Sequence, residues 1–205
     1  MKRFLLLLAI ACIPAAAVAQ KADAALVLGG AFTSDIKQTF TPTVGPSNLE
    51  TFKFDHHIFI EGAVSLRLLN AHLASLHVEL PIAGVPSQPS PVEFGAVPGH
   101  LSSLFITPSL KLKVLPVAPI SPWVSVGGGW AHYHADDPTT VNRGAIQYGG
   151  GLDFKTGLPL LGFRAEARDF VSADPSALFT GPSITPQKGL HHHTLLVGGG
   201  LVIRF

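Results

Sequence analysis

Ten histidines stand in a chain of 205 residues, and most of them are clustered. Neutral imidazole suits Zn, Cu and Ni. His191 with His193, or His132 with His134 and Asp136, would therefore be the candidates for capturing a metal. Four glycine runs, Gly29-Gly30, Gly127–Gly129, Gly149–Gly151 and Gly198–Gly200, invite comparison with phosphate cradles. None has the Walker pattern or a GxGxxG that opens a helix. Each lies between apolar residues, where glycine serves sharp bending and close strand contact, and that reading is preferred. The adjacent Asp136 and Asp137 read as turn-capping carboxylates rather than an acid–base pair.

The elements that must position these groups are strands. Hydrophobic residues make up 47% of the chain and charged residues 13%, yet no segment after the first twenty residues is a continuous apolar run long enough for a spanning helix. Apolar content of this kind, rich in Gly and punctuated by Pro, points to β structure. The N-terminus is different. Lys2 and Arg3 precede an apolar run from Phe4 to about Ile13, then Pro14 and the small-residue site Ala17-Val18-Ala19. This reads as a secretory signal peptide over residues 1–19, cleaved before Gln20. A lipid-attachment reading of Cys12 is weaker, because Ala9 stands where such signals want Leu.

Removing the leader takes Lys2 and Arg3 from the 14 basic residues and leaves 12 against 13 acidic ones. The remaining residues 20–205 are near neutral and suit one domain. No basic surplus points to nucleic acid. Cys12 is the chain's single cysteine, so the domain after the leader has no disulfide or thiolate chemistry.

Period-two alternation marks eight strands: 24–33, 57–69, 73–82, 104–115, 122–134, 145–155, 162–171 and 195–205. The clearest is 57–69, with Ile58, Ile60, Gly62, Val64, Leu66 and Leu68 on one face and Phe59, Glu61, Ala63, Ser65 and Arg67 on the other. Prolines fall mainly in the connections, as a ladder requires. Pro81 and Pro108 are the exceptions, and Pro108 calls for a bulge or a shifted boundary. Connections alternate long and short, beginning with a long loop 34–51 and including long loops at 83–100 and 135–143. That rhythm predicts an all-β, eight-stranded antiparallel up-and-down transmembrane β-barrel with its short turns and both termini in the periplasm. Parity places Phe154, Phe163 and Phe205 in one aromatic belt and Phe32, Trp130 and Tyr148 in another.

The chain at this point resembles the small eight-stranded outer-membrane barrels of the OmpA/OmpX type. The resemblance covers residues 20–205. It rests on the leader, the loop rhythm, Pro122-Trp123-Val124-Ser125-Val126-Gly127-Gly128-Gly129, Gly162-Phe163-Arg164-Ala165-Glu166-Ala167-Arg168-Asp169, and the terminal Phe205. It implies that the last strand, through Val197, Leu201, Ile203 and Phe205, is read by the barrel-assembly machinery. It also leads to the expectation that a peptidoglycan-anchoring half is absent. Some barrels of this size are lipid A deacylases with a His-x-Ser-Asn arrangement. Here His132-Tyr133-His134-Ala135 has no serine and His191-His192-His193-Thr194 offers only Thr194, so no catalytic residue is assigned.

The inward parity gathers Glu61, Arg67, Glu79, Lys111, Lys113, Asp153, Lys155, Arg164, Glu166, Arg168 and Arg204. A basic-lined selective pore is one reading of this set. A lumen packed with paired charges is preferred, because eight strands enclose a space that side chains just fill. The rim histidines then read as polar residues at the lipopolysaccharide level rather than metal ligands. A soluble lipocalin-like barrel is the competing fold and would turn the apolar parity inward. The expected protein is a non-enzymatic outer-membrane barrel of structural or surface-interaction type, with lipid, lipopolysaccharide and the assembly machinery as partners. It carries no cofactor, no metal and no nucleic acid.

Overall fold

Every long strand of the chain has one apolar face that points away from the protein interior. The computed structural model describes residues 22–34, 36–40, 48–52, 56–89, 100–135, 140–158, 160–173, 175, 184–186 and 191–205. The proposed leader, Cys12, Asp136 and Asp137 lie outside these. Twelve strands are described: β1 (Ala22–Thr33), β2 (Ile36–Phe40), β3 (Asn48–Phe52), β4 (His57–Asn70), β5 (Ala74–Pro89), β6 (His100–Ile106), β7 (Ser109–Val114), β8 (Ile120–Ala135), β9 (Thr140–Lys155), β10 (Leu161–Ala173), β11 (Ile184–Pro186) and β12 (His191–Arg204). None of the described residues is helical.

β6 and β7 together act as one barrel strand. The antiparallel order β1, β4, β5, β6/β7, β8, β9, β10, β12 returns to β1, which closes an eight-stranded barrel. β12 is the closing strand, with Leu26 facing Leu201 and Val27 facing Gly200. β2, β3 and β11 form a separate three-stranded sheet, so the long connections expected at 34–51 and after β10 contain strands of their own.

Three boundaries differ from the sequence expectation. First, β5 continues to Pro89 and β6 starts at His100, within the segment expected to be a loop. Pro86 sits where the pairing with β6 shifts, between Val85 and Gln88, and the pairing with β4 ends at Gly84. A proline at a bulge on a strand with one neighbour removes no needed donor. Second, Pro108 produces no register shift. Ile82 faces Ile106 and Glu79 faces Ser109, so the ladder resumes in step on the far side. Third, β8 and β9 each run to 16 residues, which leaves only 136–139 between them. Their pairing extends to His134 opposite Thr140.

The outward face carries Leu26, Ile60, Val64, Leu80, Leu110, Leu112, Val124, Val126, Ile146, Val197 and Leu201, all exposed. This orientation excludes the lipocalin-like alternative, whose apolar parity would point inward. On β12 the outward apolar run spans Leu195 to Ile203. Eight steps at roughly 3.3 Å, tilted about 40°, give a band on the order of 20 Å tall. Phe32, Trp130 and Tyr148 lie exposed toward one edge of this band and Phe163 and Phe205 toward the other, whereas Phe154, expected beside Phe163, is half-buried.

Candidate functional site: a two-layered, closed lumen

The inward face is divided into two layers. Toward the short turns, β4, β5, β7, β9 and β10 send charged side chains into the lumen because their inward parity carries Glu61, Glu79, Lys111, Lys113, Asp153, Arg164, Glu166 and Arg168. All are buried. β1 adds Asp23, just before the expected start of that strand and missed for that reason.

Glu79 is the hub of the charged layer. Its Oε1 accepts from Lys111 Nζ at 2.8 Å and from Arg164 Nη1 at 3.2 Å, and its Oε2 accepts from Arg168 Nη2 at 2.9 Å. Asp153 takes a bidentate bond from Arg164, Nε at 2.8 Å and Nη2 at 3.2 Å. Lys113 joins Asp153 at 2.7 Å and Asp23 at 3.2 Å. Arg168 also meets Glu61 and Glu166, each at 3.2 Å. Pairing of this density is what makes buried charge tolerable. Trp123, on the inward parity opposite Val124, lies against three of the cations. Lys111 Nζ is 4.1 Å from its ring centre, Arg168 Cζ 4.8 Å and Arg164 Cζ 5.1 Å. Sequence reasoning counted charges and passed over this aromatic, although its parity relative to Val124 and Val126 was readable.

Above the charges the lumen is dominated by apolar side chains, with Ser103, Thr107, Gln147 and Thr194 buried among them. Val27, Phe59, Val85, Leu101, Phe105, Tyr133, Phe170 and Leu196 form one buried cluster. The Phe105 and Phe170 rings are 4.7 Å apart, and Tyr133 meets Phe105 edge-on at 6.0 Å. Tyr133 shares a hydrogen bond of 2.7 Å with Ser172 at the top of this layer. The expected interior of paired charges is thus half of the picture. The other half is an aromatic plug, which the charge inventory did not weigh because Phe59, Phe105 and Phe170 read as ordinary strand formers. Glycine makes room for the bulk. A Cβ on Gly151 would come within 2.7 Å of Trp123, and one on Gly29 or Gly198 within 2.8 Å of Phe59.

Lys155 does not join the interior. It is exposed, and its Nζ donates to the Pro116 carbonyl at 2.6 Å, because it stands past the last inward pair of its strand. Arg67 and Arg204 are half-buried at the same end.

The histidines of the opposite rim are dispersed by parity. His192 points inward and is buried, while His191 and His193 point outward. His193 Nδ1 lies 2.8 Å from Asp169 Oδ2, which also accepts from Tyr148 at 2.6 Å. His132 Nδ1 lies 2.8 Å from Asn142 Oδ1. The described residues contain no cluster of three metal-ligating side chains, and Asp136 lies outside them. Ser34 Oγ lies 3.4 Å from His192 Nδ1 and also accepts from the His193 backbone N–H at 2.9 Å.

The eight-stranded barrel has counterparts in fold among solved structures. Neisserial surface protein A superposes with a TM-score of 0.53 at 9% identity, over 90% of this chain and 97% of that one. The outer membrane protein OprG from Pseudomonas aeruginosa does so with a TM-score of 0.58 at 9% identity, over 91% of this chain and 96% of that one. The fold is that of the small eight-stranded outer-membrane β-barrels. At this identity the likeness concerns the fold alone. No family model matches the sequence. No curated protein matches it either.

Proposed function

We propose that this protein is an integral outer-membrane barrel of structural or surface-interaction type, with a lumen that does not conduct and no catalytic activity. Its termini and short turns face the periplasm, and recognition is carried by the extended strands and loops of the opposite end. Its partners are outer-membrane lipid, lipopolysaccharide and the assembly machinery, which engages the last strand.

One observation carries this reading. The lumen is blocked twice, by the Glu79 ion cluster and by the aromatic layer of Phe59, Phe105, Tyr133 and Phe170, with each of these side chains at most 1% exposed. Ions would have to cross packed aromatic and aliphatic side chains, among which only scattered buried polar groups, such as those of Ser103, Thr107, Gln147 and Thr194, could stand in for water. The outward band of about 20 Å approaches the height of the apolar belt of transmembrane barrels. Cell fractionation and gel mobility test the membrane assignment. The protein should be recovered in the detergent-extracted outer membrane and migrate faster unheated than boiled. Recovery in the soluble periplasm would overturn it.

A further inference from the structure

The short-turn end of the barrel is strongly apolar for a surface with no described protein partner. Leu69, Leu73, Leu115, Val117, Leu158 and Leu160 are all exposed there, Val117 by 76% and Leu73 by 71%. Turns facing water are normally built from polar residues, since exposed backbone and loop groups are solvated. These turns have instead satisfied their backbone internally. Leu115 N–H donates to Leu73 O at 2.8 Å, which ties the β7–β8 turn to the β4–β5 turn. Lys155 N–H donates to Pro119 O and Arg204 N–H to Leu160 O, each at 2.8 Å, which ties in the third turn and the last strand. Thr156 Oγ1 donates to Leu161 O at 2.6 Å, Ser121 Oγ to Leu115 O at 2.9 Å. Turns that bond much of their backbone internally and expose leucines, with Asn70 and His72 the exposed polar residues of the β4–β5 turn, suit an apolar to interfacial solvent.

The charged side chains that reach solvent at this end are basic. Lys155 is exposed and Arg67 and Arg204 are partly exposed, whereas the nearby Asp23 and Asp153 are buried against Lys113 and Arg164. The described residues of this end carry no exposed acidic side chain. Apolar turns under a basic collar match the chemistry of an anionic phospholipid surface, with leucines among the upper acyl carbons and cations at the phosphates.

We propose that the short-turn end is a phospholipid-binding face: the turns sit inside the headgroup layer, and Arg67, Lys155 and Arg204 hold anionic headgroups. The inference rests on the reading of the outward band as membrane-embedded. It goes beyond it, because an ordinary barrel would leave these turns in water. The outer-membrane leaflet on the periplasmic side would supply such lipids.

The test uses the full refolded chain with Cys12→Ser, so that single cysteines can be labelled. A fluorophore is placed at Val117→Cys and Leu160→Cys, with Val124→Cys in the middle of the outward band as control. Samples are reconstituted into vesicles of phosphatidylglycerol or phosphatidylcholine that carry nitroxide at the headgroup or deep in the chain. The expected result is strong quenching of the 117 and 160 labels by shallow nitroxide, and of the 124 label by deep nitroxide. Phosphatidylglycerol should be preferred about fivefold for each basic residue it engages. Arg67→Gln, Lys155→Gln and Arg204→Gln together should bring that preference near unity. Labels at 117 and 160 that escape quenching while 124 is quenched overturn this inference and leave the barrel reading intact. If 124 also escapes, both fail. A preference for phosphatidylglycerol that survives the triple variant, or that is absent in the native chain, overturns the assignment of the basic collar.

Discussion

Replacing Glu79 by Gln is the sharpest perturbation of the lumen. The substitution keeps shape and removes the charge that Lys111, Arg164 and Arg168 share at 2.8, 3.2 and 2.9 Å. The two arginines retain partners, Arg164 with Asp153 and Arg168 with Glu61 and Glu166. Lys111 is fully buried and loses its hydrogen-bonded carboxylate, keeping a neutral amide oxygen and the face of Trp123. An uncompensated buried ammonium costs several kcal/mol, and breaking buried pairs of this type typically destabilises by about 3–5 kcal/mol. The variant Glu79→Gln should therefore lose roughly that much. The double variant Glu79→Gln/Lys111→Met should regain at least about 1 kcal/mol, because no orphan cation remains. Equilibrium urea unfolding in phospholipid vesicles, followed by the fluorescence of Trp123 and Trp130, measures both. A loss below about 1 kcal/mol for the single variant, or a double variant no more stable than the single, would refute the hub argument.

Four further outcomes follow from the same geometry. Leu110→Arg places a cation on the outward band and should cost about 2–4 kcal/mol when folding is measured in vesicles; no change would place that face outside the bilayer. Gly151→Ala drives a Cβ against the Ala165 carbonyl as well as to within 2.7 Å of Trp123, and urea titration should show about 1–3 kcal/mol lost, most of it remaining when Trp123→Leu is added because the backbone contact persists. Trp123→Leu alone gives up three cation contacts and should cost about 2 kcal/mol or more, read by the same titration. Asp169→Asn weakens a rim pair whose His193 side chain is 48% exposed, and its effect on the urea midpoint should stay under about 1 kcal/mol.

The barrel was legible because outward parity repeats on every strand. Ile58 to Leu68, Leu110 to Val114 and Leu195 to Ile203 each alternate with residues that the lumen takes up. A period of two survives without knowledge of neighbours. The strand ends were less legible, because the prolines of 83–100 read as loop residues and Pro108, inside a strand, calls for a bulge or a shifted boundary. Pro86 stands at a bulge and Pro108 within an unbroken register, and both placements depend on which neighbour is present. The charge list foresaw Glu79, Lys111, Arg164 and Arg168 but not which would meet. Arg168 and Glu79, for example, meet across 89 residues of sequence. The aromatic layer escaped notice for a related reason. Phe59, Phe105 and Phe170 are unremarkable on their own strands and become a plug only when closure brings them together.

The closed lumen is the centre of the account, and single-channel recording in planar bilayers tests it most directly. The native protein should show no steady open conductance at any holding potential. Glu79→Gln should behave the same, since the aromatic layer above it is untouched. A steady, reproducible conductance from the native barrel would contradict the account.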